Sequence, residues 1–178
     1  MPKRSSLRII GRKLTKLELG ELLKDTIEEK NAIEKGEKFE RFFENFMEQQ
    51  EEFIFIDKHC RSKVGEIDYF YRNELESHPI WRQYDYLFVE CKNWQDKIGS
   101  EEMDHFIRLL EAKTTFKCCG IYLTTSSFSP EALTTVRDAR MKQGLLIIPF
   151  DREDLFELIR KGFKDFVQET CDRILAKS

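Results

Sequence analysis

No apolar run in this sequence approaches the ~20 residues that a bilayer-crossing helix needs. The opening stretch, MPKRSSLRIIGRK, is basic and lacks the apolar segment of a secretory signal. A cytoplasmic chain with no membrane partner is expected. Cysteine is present but unorganised: Cys60, Cys91, Cys118, Cys119 and Cys171 are odd in number and form no CxxC pair. Three of them lie inside apolar strand-like runs, the pattern of small buried hydrophobes in a reducing compartment. The three histidines are scattered, none with a partner at ligand spacing, which argues against zinc. Internal repeats and low-complexity segments are lacking too.

What is present suffices for a sizeable core. The chain has 178 residues, 40% of them hydrophobic and 15 of them Phe, a length that suits one domain plus an appendage. A net charge of −3 hides an asymmetry: Lys3, Arg4, Arg8, Arg12, Lys13 and Lys16 occur with no acid among them. Such an arm can lie on nucleic acid or simply be a solvated terminus. The overall charge does not make a nucleic-acid coat, so a partner of that kind would be held by local positive patches and metal ions.

Periodicity divides the chain further. Thr15 is a cap for a helix running to about Lys35, with Leu19, Leu22, Leu23 and Ile27 on one face, and Gly36 is a boundary. Residues 1–35 are thus expected to be a basic arm and helix, and 36–178 the main domain. Phe39, Phe42, Phe43, Phe46 and Met47 form an apolar stripe at helical spacing. Three strand-like runs follow, at 52–60, 66–72 and 84–94, the first two close enough for a hairpin over RSKVG. Ser100 is a cap for a helix buried through Met103, Phe106, Ile107 and Leu110. CCGIYLTTS (118–126) reads as a strand covered on both faces. Ser129-Pro130-Glu131 starts a helix that ends near Gly144, LLIIPF (145–150) is another buried strand, and two more helices close the chain. Strands in a meander followed by alternating units predict an α/β fold, a mixed sheet sandwiched by helices.

Two strands carry charges where apolar residues would pack more easily: GEIDYF (65–70) and LFVECKN (87–93). Alternate residues of a strand share a face, so Glu90 and Lys92 point together, away from Val89 and Cys91. Glu66 and Asp68 likewise share a face, with Ile67 and Tyr69 on the other. If the two strands pair, two acids and a lysine converge at one edge. Buried charges pair or coordinate a metal. Asp68 and Glu90, with a backbone carbonyl such as that of Cys91, are a hard-oxygen set suited to Mg²⁺. A metal there polarises a phosphoryl oxygen and acidifies a water. Lys92 can orient that water or offset transition-state charge. This is equipment for phosphodiester hydrolysis.

Asp68 followed by Glu90-Cys91-Lys92 resembles the D…ExK signature of the PD-(D/E)XK nuclease superfamily. The wider pattern is similar to the Mrr-like restriction endonuclease catalytic domain: GEKFE (36–40) opening the first core helix, GEID (65–68), SFSPEAL (127–133), and LLIIPFD (145–151). The likeness spans roughly residues 34–160 in αβββαβ order. It implies a restriction-endonuclease-like fold and a DNA endonuclease dependent on Mg²⁺ or Mn²⁺. Asp68 and Glu90 would be metal ligands, Lys92 the catalytic lysine, and Glu40 the first-helix acid that completes the site. Three departures stand out: Ile67 replaces the proline before the Asp, the Asp–Glu separation is a long 22 residues with an apparent insertion at 73–83, and the motif is ExK where close Mrr relatives often have QxK.

Other readings stay open. Asp68 could be a solvated strand residue, Glu90–Lys92 a surface ion pair worth ~0–1 kcal/mol, and Glu40 a solvated helix position. Glu66 reads better as a surface or supporting acid than as a ligand, and His105 better as a half-exposed helix residue than as a catalyst. Trp81 and Trp94 can stack on a base or cap a core edge. Lys97, Lys113 and Lys117 can approach phosphates or be ordinary surface lysines. At the level of the molecule, the alternatives are an inactive nuclease-fold module that binds nucleic acid or a partner, and an effector nuclease switched on by a regulatory partner. A homodimer is a natural assembly, since two cuts on a duplex need two sites.

Overall fold

Thr15 opens the first helix, α1 (Lys16–Glu28), through a capping box: its hydroxyl accepts the Glu18 N–H, and the Glu18 carboxylate accepts the Thr15 N–H. This is a computed structural model, and it describes residues 12–75, 80–113 and 117–176. The basic positions Lys3, Arg4 and Arg8, and residues 76–79 of the 73–83 loop, therefore lie outside the described residues. The other three arm cations are engaged internally. Arg12 pairs with Glu18, Lys13 with Glu51 at 2.7 Å, and the Lys16 ammonium donates to the Arg160 carbonyl at 2.7 Å.

The helix expected to reach Lys35 stops at Glu28. Asn31 caps a separate helix, α2 (Ala32–Met47), its side chain accepting from the N–H groups of Ile33 and Glu34. Gly36 lies inside α2 rather than at a boundary. Satisfying two first-turn donors outweighs the ~1 kcal/mol that Gly costs in a helix interior. The Phe stripe is buried as expected, from Phe39 to Met47.

A five-stranded sheet follows: β1 (Phe53–Arg61), β2 (Glu66–Asn73), β3 (Tyr86–Lys92), β4 (Cys118–Thr124) and β5 (Leu146–Phe150), in that spatial order. β1, β2 and β3 form an antiparallel meander, and β3, β4 and β5 run parallel. The parallel connections pass through α3 (Ser100–Glu111) and α4 (Pro130–Gln143), and α5 (Arg152–Lys161) and α6 (Phe163–Ala176) close the chain. The mixed sheet between helices is the architecture the sequence predicts.

Alternation along β3 sorts the core into two layers. Leu87 and Val89 pack with Leu19 and Leu23 of α1, the α2 stripe, and Leu155, Phe163 and Phe166 of the last helices. Phe88 packs on the other face, with α3 and α4. β4 is buried at every position, as a strand covered on both sides must be. One expectation fails. Ile67 and Tyr69 do not share a face: Tyr69 packs on Phe43 of α2, centroids 5.0 Å apart, whereas Ile67 joins the α3 layer. The β1–β2 ladder passes from the pair Lys58–Tyr69 to Cys60–Ile67, and His59 between them has φ 56. A left-handed residue there turns the ladder, and the parity of β2 changes at Asp68.

Candidate active site

The site lies where two strands part. β2 and β3 pair only from Arg72–Tyr86 to Tyr69–Val89. Beyond Val89, β3 continues along β4 alone, with Glu90 opposite Tyr122 and Lys92 opposite Thr124. The Cys91 N–H would be an orphan in that gap. Asp68 takes it: the Oδ2 atom accepts from the Cys91 N–H at 2.8 Å. This bond carries the acid of one strand to the acid-and-lysine pair of the next.

Glu90 is buried, 5% exposed, on the α3 side of the sheet. Its Oε1 meets the Lys92 Nζ at 2.5 Å, two residues along the same face. Its Oε2 is buried with no hydrogen-bond partner. Burial pushes the Glu90 carboxyl up, Asp68 pushes it further, and Lys92 opposes both, leaving it at about 7. Asp68 is also raised, first by burial, with the Cys91 N–H and the Lys92 charge acting against that. Burial by itself would lower the Lys92 ammonium, but the Glu90 and Asp68 carboxylates together act against it and the net shift is upward. The lysine therefore stays charged.

This geometry brings together three of the four expected side chains. Glu40 is near enough for its charge to raise Asp68. Its carboxylate, however, is held by Lys58 at 2.7 Å. Lys58 also binds Glu44 at 2.8 Å, one turn further along α2, and Glu44 in turn accepts from the Tyr69 hydroxyl at 3.2 Å. Nothing in the sequence singled out Lys58. It is one lysine in a strand, and a bulge between Phe55 and Asp57 decides where it points. Tyr122 is a second residue outside the expected set, and its hydroxyl inside CCGIYLTTS is a signal visible in the sequence. Its side chain lies beside Glu90, and the hydroxyl is buried without a partner.

The remaining candidates separate cleanly. Glu66 pairs with Arg61 at 2.8 Å and His59 at 3.0 Å, bracing the hairpin. Trp81 is fully buried, its ring 4.9 Å from Phe53 and 5.3 Å from Phe163, so it belongs to the core. Trp94 is 44% exposed, and both it and His105 line the cleft beside Glu90. Lys97, Lys113 and Lys117 do not line it.

The donor set suits a hard divalent cation. Two carboxylates share the site, one of them has a buried oxygen without a partner, and the Lys92 ammonium is in contact with Glu90. Among the described residues no group of three or more His, Cys, Asp or Glu forms a ready-made cage.

The profile of a family described as restriction endonuclease, the Mrr-type catalytic domain, matches residues 33–159. No curated protein matches the chain. Among solved structures, a repair endonuclease from Pyrococcus abyssi is 17% identical, with 64% of this chain and 45% of that one covered and a TM-score of 0.39. MspJI restriction endonuclease in complex with a 27-mer oligonucleotide is 18% identical, with 89% and 34% covered and a TM-score of 0.44. SfsA of Pyrococcus furiosus in complex with Ca²⁺ is 14% identical, with 62% and 55% covered and a TM-score of 0.40. The chain thus spans between 34% and 55% of the length of these proteins.

Proposed function

The chain belongs to the restriction endonuclease family through residues 33–159, and from that premise we propose that it is a divalent-metal-dependent endonuclease that hydrolyses DNA phosphodiesters. One observation carries this reading: a buried Glu90 with one oxygen free and the other on Lys92, joined through Cys91 to the Asp68 carboxylate. Asp68, Glu90 and the Cys91 carbonyl would hold Mg²⁺ or Mn²⁺. Such an ion supplies Lewis-acid polarisation of the scissile phosphate and an acidified water. Lys92, kept charged by Glu90, orients the attacking water and offsets negative charge as it grows on the phosphate. Asp68 fixes the Cys91 peptide, so the acid and the lysine on either side of it are held in place. Glu40 plays a supporting part: its charge acts on Asp68 while Lys58 holds its carboxylate.

In this reading the nuclease domain expected at 36–178 takes in the whole of α2, from Ala32, and the residues before it are an arm and helix attached to it. DNA is the partner, a homodimer supplies a second cut, and a regulatory partner can gate activity. Five free thiols support a reducing, cytoplasmic setting.

The test is supercoiled plasmid incubated with Mg²⁺, with Mn²⁺ and with EDTA, beside Lys92→Ala. The proposal expects metal-dependent nicking that falls at least ~100-fold in the variant. Nicking equal in both proteins, or none with either metal, would overturn it and favour a binding module.

A further inference from the structure

The catalytic edge opens into a cleft of about 430 Å³ on the α3 side of the sheet. Its lining includes Glu90 and Lys92, His105 and Phe106 of α3, the buried Tyr122 and the partly exposed Trp94. None of the chemistry above requires this space beyond its catalytic end. A duplex is too wide to enter it, whereas a single unstacked nucleobase fits.

Two features suggest what the cleft is built to receive. The Tyr122 hydroxyl is buried, has no partner, and belongs to a residue that is 1% exposed. Leaving such a group unpaired is costly, and a ligand that brings a polar edge relieves it. The ring itself is braced by Phe106 at 5.3 Å and Phe128 at 5.8 Å, so the hydroxyl is held in place. Trp94 is the second feature. It lies two residues past Lys92, is 44% exposed, and has no aromatic neighbour among the described residues, unlike the fully buried Trp81. A flat, exposed indole at the mouth of a nucleotide-sized cleft, beside a lysine placed for phosphate chemistry, is a stacking platform. Phosphate contacts alone would not need it.

We propose that this cleft is a nucleobase pocket: it takes one unpaired or extruded DNA base next to the scissile phosphate, with Trp94 stacking on the base and the Tyr122 hydroxyl bonding to its polar edge. Substrate preference follows. Extrusion costs least where a base is already unpaired, so the favoured DNA carries a bulge, mismatch or single-stranded segment rather than continuous pairing. This inference rests on the nucleic-acid reading above and gives it a substrate class.

The test compares the full chain on two labelled duplexes in EDTA, one fully paired and one with a single bulged thymine. Anisotropy gives the affinity ratio, and tryptophan emission reports Trp94, because Trp81 is sealed in the core. The expected results are roughly tenfold or tighter binding to the bulged duplex, together with quenched emission. Trp94→Ala should bring the ratio close to one, and Trp94→Phe, which keeps a stacking ring, should retain most of it. A wild-type ratio within twofold of one, or a ratio unchanged in Trp94→Ala, overturns the pocket. A plasmid nicked in a Lys92-dependent way, combined with no bulge preference, removes the pocket and leaves the nuclease. A bulge preference without cleavage in any metal removes the nuclease chemistry and leaves a base-binding site.

Discussion

Burying Glu90 beside Asp68 makes its charge expensive, and the cost has a measurable pH signature. The carboxyl rises from an ordinary 4.5 to about 7, so the folded chain binds this proton more tightly than the unfolded chain does. The associated stability is complete below about 4.5 and is lost as pH rises through about 7. Asp68 is raised and acts in the same direction. Metal-free melts should therefore show Tm falling between pH 5 and pH 8, a loss on the order of 2 kcal/mol. Glu90→Gln, which has no proton to lose, should flatten much of that slope. A parallel slope in the variant would mean that Glu90 is not the group responsible. Because a cation binds the ionised form, added Mn²⁺ should raise the wild-type Tm more at pH 8 than at pH 6.

Between elements, α3 packs tightly on β4 at Gly120. Gly120 lies where an added Cβ would fall 2.5 Å from Leu110 Cδ1 and 2.9 Å from Phe106 Cε1. α3 walls the cleft, so its distance from the sheet helps set the width of the site. Gly120→Ala should cost about 1–3 kcal/mol in urea unfolding, and a neutral result would show that the helix can slide outward freely. Gly36 is the opposite case: it sits within α2, and an added Cβ meets nothing within 4 Å. Gly36→Ala should stabilise by about 0.5–1 kcal/mol. A destabilised variant would show that α2 breaks there after all. The boundary between α1 and α2 falls at Asn31 rather than Gly36: Gly36 is a conspicuous breaker and Asn31 an inconspicuous cap, but the cap's two backbone bonds decide the matter.

For the molecule as a whole, the sheet is covered on both faces, and α1 is part of that cover. Leu19 and Leu23 are at most 2% exposed and share a layer with Val89, the residue next to Glu90. Removing residues 1–30 should thus cost at least about 4 kcal/mol, lowering Tm and exposing apolar surface to a reporter dye. An unchanged Tm would make α1 a detachable appendage. The truncation also bears on the site, because the layer that α1 covers holds the side of β3 from which Glu90 and Lys92 project the other way.

Much of this was legible in the chain itself. The Phe stripe spaced for a helix, alternation in β3, unbroken burial in β4 and the Ser129-Pro130 start are local signals, and hydrophobic periodicity determines them without reference to distant residues. Glu90 and Lys92 on one face follow from the same two-residue period. The parting of β2 from β3, the turn of the ladder at His59, the capture of Glu40 by Lys58 and the unpaired oxygens of Glu90 and Tyr122 were not legible. Each depends on which groups from distant segments reach the same place, and a buried polar atom gains or lacks a partner only after the strands and helices have packed. Sequence determined the elements and the chemical inventory of the edge; tertiary structure decided which charges meet there and which are left to bind something else.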